Sequence, residues 1–146
     1  MRVRLPRFQF IPSDPNSYVI NHYNLLVSSE KKSKVVRFTN QNLKLVKTLF
    51  KAGAINHYTL IKLNKKNKIN FFIKFTIFHF KNSPFYKTIR LVTTQSKSFS
   101  ITLSTVKLIA PIFKTSLFIL STPMGLVTHL EALKLGTGGL IICILN

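Results

Sequence analysis

Apolar residues change their period several times along this chain, and each change marks a predicted element. Tyr18, Val19, Ile20, Tyr23, Leu25, Leu26 and Val27 recur at helical intervals, with Asn16 or Ser17 placed to cap a first helix. The polar run Ser28 to Lys34 follows as a basic loop, and the β-branched and aromatic residues from Val35 to Thr39 predict a short strand. Leu43, Val46, Leu49 and Phe50 then form a stripe at spacings of three and four, which predicts a second helix from Asn40 to Gly53. Lys44, Lys47 and Lys51 recur at the same spacings on a different face. A strand from Ala54 to Leu63 leads through the basic turn Asn64–Lys68 into strict alternation. Ile69, Phe71, Ile73, Phe75 and Ile77 take turns with Asn70, Phe72, Lys74, Thr76 and Phe78, the period of a sheet with one buried face. Phe72, Phe78 and Phe80 fall on the opposite face. Such aromatics usually pack beneath helices, the alternative being a platform for stacked bases.

Asn82-Ser83-Pro84 breaks the sheet, which resumes from Tyr86 to Val92. Thr93 to Ser98 is polar and lacks periodicity, so a subdomain boundary is placed there. Beyond it the pattern predicts a strand (Phe99–Leu103), a short or irregular helix limited by Pro111, and a strand (Leu117–Leu120). The last 26 residues read as loop, short helix, glycine turn and strand. Thr128 and Glu131 have capping-box spacing, with the hydroxyl on one N–H and the carboxylate reaching back to another. Gly136 suits a left-handed C-cap, and Gly138-Gly139 turns the chain into an apolar strand. The predicted class is α+β with two small subdomains. Residues 1–16 form an extension, 17–92 a helix-strand-helix unit with antiparallel strands, and 93–146 a mainly β unit with short helices.

The closing stretch resembles the C-terminal signature of the universal small-subunit ribosomal protein eight family, in its bacterial and organellar type. That signature runs Ser-Thr-Ser-x-Gly, two apolar residues, Thr-x-x-Glu-Ala-x-x-x-Gly-x-Gly-Gly-Glu, then an apolar run containing Cys. Ser121, Thr122, Gly125, Thr128, Glu131, Ala132, Gly136, Gly138, Gly139 and Cys143 match it without a gap. Pro123, Leu140 and Asn146 depart from it. Asn42-Leu43-Lys44 and Gly53-Ala54-Ile55 sit where the family has related triplets, while Thr93-Thr94-Gln95-Ser96 replaces its Ser-Arg-Pro-Gly turn. The resemblance spans residues 17–146 and is strongest over the last 26. It implies a structural protein that binds the central domain of small-subunit rRNA, enters assembly early and contacts neighbouring small-subunit proteins. It further implies that the loop holding Ser121, Thr122 and Gly125 reads an irregular RNA helix while the N-terminal half grips backbone. Short hydroxyls both donate and accept, which suits bases and 2′-OH groups, and Pro123 removes one of them.

Charge points the same way. The chain carries 22 Lys and Arg against 3 acids, a net +19, and its 46% hydrophobic content is enough for a core. Such self-repulsion calls for a polyanionic partner. Lys31, Lys32 and Lys34, Lys44 and Lys47, and Lys65, Lys66 and Lys68 form three clusters expected around one face of the N-terminal half as phosphate contacts. The abundance of Lys, Asn, Ile and Phe suggests an AT-rich organelle genome, and the mitochondrion is expected in preference to the plastid. The other readings are a basic peripheral membrane protein and a DNA-compacting protein. The first needs one amphipathic basic helix, whereas lysine occurs in every segment; the second has no use for the Ser-Thr loop. The best candidate for a membrane span, Thr115 to Thr128, is short and broken by Ser121, Thr122 and Pro123, and no apolar signal core follows the basic N-terminus.

Catalytic chemistry is not expected. Asp14, Glu30 and Glu131 are the only carboxylates, and His22, His57, His79 and His129 lack metal-ligand spacing. Cys143 lies in an apolar strand, where thiols are inert. No metal, cofactor or small-molecule substrate is anticipated.

Overall fold

The computed structural model describes residues 15–29, 31–94 and 96–146, so nearly all of the expected extension lies outside the described residues. The chain runs α1 (Pro15–Ser28), β1 (Ser33–Arg37), α2 (Asn40–Lys51), β2 (Ile55–Lys65) and β3 (Lys68–Ile77). It continues with β4 (His79–Phe80), β5 (Ser83–Pro84), β6 (Ile89–Leu91), β7 (Ser100–Ile101), α3 (Leu103–Ile109), β8 (Leu117–Thr122), β9 (Gly125–Thr128), α4 (His129–Leu135) and β10 (Gly139–Leu145). The class is α+β, as the periodicities predict.

Three sheets result, all antiparallel: β1-β3-β2, the small hairpin β4-β5, and β6-β10-β8-β9 with β7 also on β10. The main core joins the two larger sheets. Val19, Ile20, Tyr23 and Leu26 of α1 and Leu45, Val46 and Leu49 of α2 are buried in one cluster with Ile73 and Phe75 of β3. Ile119 of β8 and Cys143 and Leu145 of β10 belong to the same cluster. On β8 the period of two is obeyed: Ile119 faces this core, while Phe118 and Leu120 face a second one with Val106 of α3 and Ala132 of α4. A register shift between Ile141 and Cys143 lets the adjacent residues Ile142 and Cys143 both enter the main core. Cys143 is wholly buried, which pushes its thiol up to about 12.

Several boundaries differ from expectation for identifiable reasons. Asn16 and Ser17 lie inside α1, which is described from Pro15 onward, rather than capping it. Thr39 is not strand but the N-cap of α2, accepting the Asn42 N–H at 3.1 Å. The buried stripe of α2 is Leu45, Val46 and Leu49 with Asn42 and Thr48, while Phe50 stays exposed, edge-on to Tyr58. Alternation on β3 holds only where something covers it. Ile73, Phe75 and Ile77 are buried, but Ile69 and Phe71 are exposed, because β3 pairs with β2 beyond the point where β1 ends. Residues Leu126 to Thr128 are strand, so α4 starts only at His129.

Candidate nucleic-acid interface

An open cleft of about 500 Å³ lies between α2 and the β8–β9 turn. Gln41 and Lys44 line it from the helix; Ser121, Thr122, Pro123 and Gly125 line it from the turn. Local packing fixes both walls. The Thr48 hydroxyl donates to the Lys44 carbonyl at 2.9 Å and lies 3.5 Å from the Leu126 carbonyl, tying α2 to β9. The turn is closed by Thr122, whose hydroxyl donates to the Gly125 carbonyl at 2.9 Å and accepts the Met124 N–H at 3.2 Å. Gly125 supplies the φ of +113° that brings the chain back, a conformation a side chain would strain. Behind the turn β10 passes so close that a Cβ on Gly139 would fall on the Ser121 carbonyl oxygen and 3.1 Å from Thr122 Cγ2.

This geometry separates two residues that the sequence treats alike. Thr122 is only 8% exposed and its hydroxyl is spent on the turn, so it is not the free loop hydroxyl anticipated. Ser121 is half-buried on the cleft wall and its hydroxyl bonds to no other described residue. Downstream, Thr128 caps α4 as foreseen, accepting the Glu131 N–H at 3.3 Å, and Gly136 ends the helix at φ 70°. The reciprocal arm is not made: among the described residues the Glu131 carboxylate has no hydrogen-bond partner. The capping box is half formed.

The lysines do not form one patch. Lys44 faces the cleft, and Lys47 is exposed one helical turn on. Lys65 and Lys68 flank a two-residue turn whose Lys66 and Asn67 have φ of 46° and 60°, and all these lysines are exposed. Lys31 and Lys32 are exposed and Lys34 is half-buried at the start of β1, where Ser33 pairs with Thr76. From Thr76 back to Lys68 the strand covers roughly 26 Å at the usual rise, so the first and third clusters sit at opposite ends of the sheet. The clusters are thus spread along the length of the sheet rather than gathered at one place. The sequence also missed Gln41, although its place one turn before Lys44 is the spacing that would have revealed it.

Phe72 is buried and pairs between Arg37 and Ile61, so it cannot serve as a stacking surface. No group of three or more His, Cys, Asp or Glu among the described residues could hold a metal ion. No described helix is long and apolar enough to cross a membrane.

A family model described as ribosomal protein S8 matches residues 19–145, a span that includes both walls of the cleft. The chain belongs to the ribosomal protein S8 family. It is therefore a small-subunit ribosomal protein that binds rRNA, in a family that is structural rather than catalytic. No match was found among curated proteins. In this S8 protein Thr128 ends β9, the strand that follows the turn, and at the same time caps α4, so the two elements join without a linker.

Proposed function

We propose that this S8 protein binds the central domain of small-subunit rRNA, supports assembly of the subunit and works beside neighbouring small-subunit proteins in the mitochondrion. The observation that carries the reading is the cleft, which sets Lys44 and Gln41 against Ser121 and Gly125. A cation and an amide on one wall can hold phosphate or sugar while the hydroxyl on the other reaches a base edge. Regular A-form RNA hides its base edges in a deep groove, so such a site favours a distorted helix. Thr122 and Gly125 act by holding the turn. Lys47 extends the phosphate row along α2, and Lys31, Lys32, Lys34, Lys65, Lys66 and Lys68 supply further backbone contacts at the ends of the sheet. Organelle-type composition supports the compartment.

Paired binding and melting curves test the site. Ser121→Ala should melt like the parent and lose roughly 1–3 kcal/mol of discrimination between the cognate helix and a regular duplex, by analogy with direct readout in DNA. Lys44→Ala should weaken both RNAs and lower the log–log salt slope by about 0.7. Thr122→Val, which removes the turn's internal bonds, should cost about 1 kcal/mol of stability as well as affinity. Full discrimination retained by Ser121→Ala would place recognition outside the cleft.

A further inference from the structure

One surface is left unexplained by the cleft: the β4–β5 hairpin. His79 pairs with Pro84 and Phe80 with Ser83, and the Phe85 N–H donates to the Phe78 carbonyl at 3.1 Å, which extends the ladder by one rung. Opposite residues share a face and successive residues alternate, so Phe78, Phe80 and Phe85 project from one side of this ribbon. They remain 36%, 55% and 53% exposed. Phe78 and Phe85 meet edge-to-face at 5.9 Å, and Phe85 meets buried Tyr86 at 4.9 Å.

The ribbon is held firmly from below. The Phe78 N–H donates to the Ala54 carbonyl at 3.1 Å, the Tyr86 hydroxyl to the Ala52 carbonyl at 3.3 Å, and the Tyr23 hydroxyl to the Tyr86 carbonyl at 3.2 Å. At its tip Lys81 and Asn82 adopt φ of 49° and 63°. A lysine in that region costs roughly 1–2 kcal/mol where glycine would be free of strain. Its ammonium lies 5.5 Å from the Phe80 ring centroid. Single exposed apolar residues are ordinary; three phenylalanines on one face of a rigid ribbon, with a cation at its edge, are not.

We propose that this face is a second RNA contact, a platform on which unpaired bases stack while Lys81 and the neighbouring exposed Lys87 hold their phosphates. The charge around it fits that occupant: between residues 31 and 130 the sequence contains no carboxylate. Aromatic faces with adjacent cations are the common means of holding single-stranded nucleic acid. The hairpin is anchored beyond the C-terminal end of α2, while the cleft lies at its N-terminal turn. A helix of 12 residues, about 18 Å long, separates them, so one RNA can engage both. This inference rests on the rRNA-binding reading.

The test uses the full chain with two probes, a single-stranded oligoadenylate of about 12 nucleotides and the structured central-domain helix. Phe80→Ala should weaken oligoadenylate binding about fivefold to 150-fold and leave the structured helix unaffected when it lacks unpaired flanks. Phe80→Tyr should restore binding, because it keeps the ring, and Phe80→Leu should not. Equal binding by Phe80→Leu and the parent overturns stacking and points to an apolar partner surface instead. Binding of the structured helix with no measurable affinity for oligoadenylate overturns the platform alone. Failure to bind either RNA removes the underlying functional reading as well. Phe80 is exposed, so unchanged melting of each variant keeps these outcomes interpretable.

Discussion

His129 opens α4 with its ring buried, and Nδ1 accepts the Phe118 N–H at 3.1 Å. Burial holds its pKa below the ordinary 6.5. Protonation at Nδ1 would set two donors against each other and place a cation at the positive end of a helix. Because the folded ring binds its proton less readily than the unfolded one, the stability it contributes is present above about pH 6.5. It is lost as the pH falls toward the lower folded value. His22 acts in the same direction, through burial and then the nearby Lys34 charge. Melting temperature recorded from about pH 8 to about pH 5 should therefore fall on the acid side. His129→Gln, which keeps an acceptor but cannot charge, should flatten part of that fall. An unchanged pH profile in this variant would assign the acid sensitivity elsewhere.

Thr128 belongs to both β9 and the cap of α4, so its removal should be felt on both sides. Thr128→Ala is expected to cost roughly 0.5–2 kcal/mol, lowering the melting temperature and weakening RNA binding modestly through a looser β8–β9 turn. Loss of binding without loss of stability would mean that Thr128 touches RNA itself. This cap was legible in the sequence, as were the left-handed Gly136, the basic turn before β3 and the helix stop before Pro111, because each depends on residues a few positions apart. The missed features depend on distant partners. The carboxylate of Glu131 was expected on a backbone N–H, yet the spacing alone could not orient it. Thr122 reads as a free hydroxyl until the return of Gly125 is seen. Phe72 and Phe78 share a face in a continuous strand, but β3 ends at Ile77 and the chain turns there into a separate hairpin. The cleft itself joins Gln41 to Ser121 across 80 positions and leaves no local trace.

A net charge of +19 surrounds a core that joins both larger sheets, so electrostatic repulsion strains the whole molecule rather than one segment. Isolated protein should melt several degrees lower at about 20 mM salt than at about 300 mM, where screening shortens the reach of each charge. Addition of cognate RNA at low salt should restore the difference by mass action. A sharp, salt-independent transition would show that packing alone outweighs the repulsion. The order in which the core is assembled carries a further consequence. β10 comes last among the described elements, yet it is the strand that β6, β7 and β8 all pair with. During synthesis the earlier strands of this sheet emerge before the one that joins them, with Ile119 and Ile89 lacking the neighbours they bury against. Helices α1 and α2 can gather on the first sheet beforehand, but the ribbon that carries Ser121 stays an open edge until the last strand threads in. A nascent chain stalled before Gly139 should thus be exposed to misassociation and unable to recognise RNA, and its competence should appear abruptly rather than by degrees.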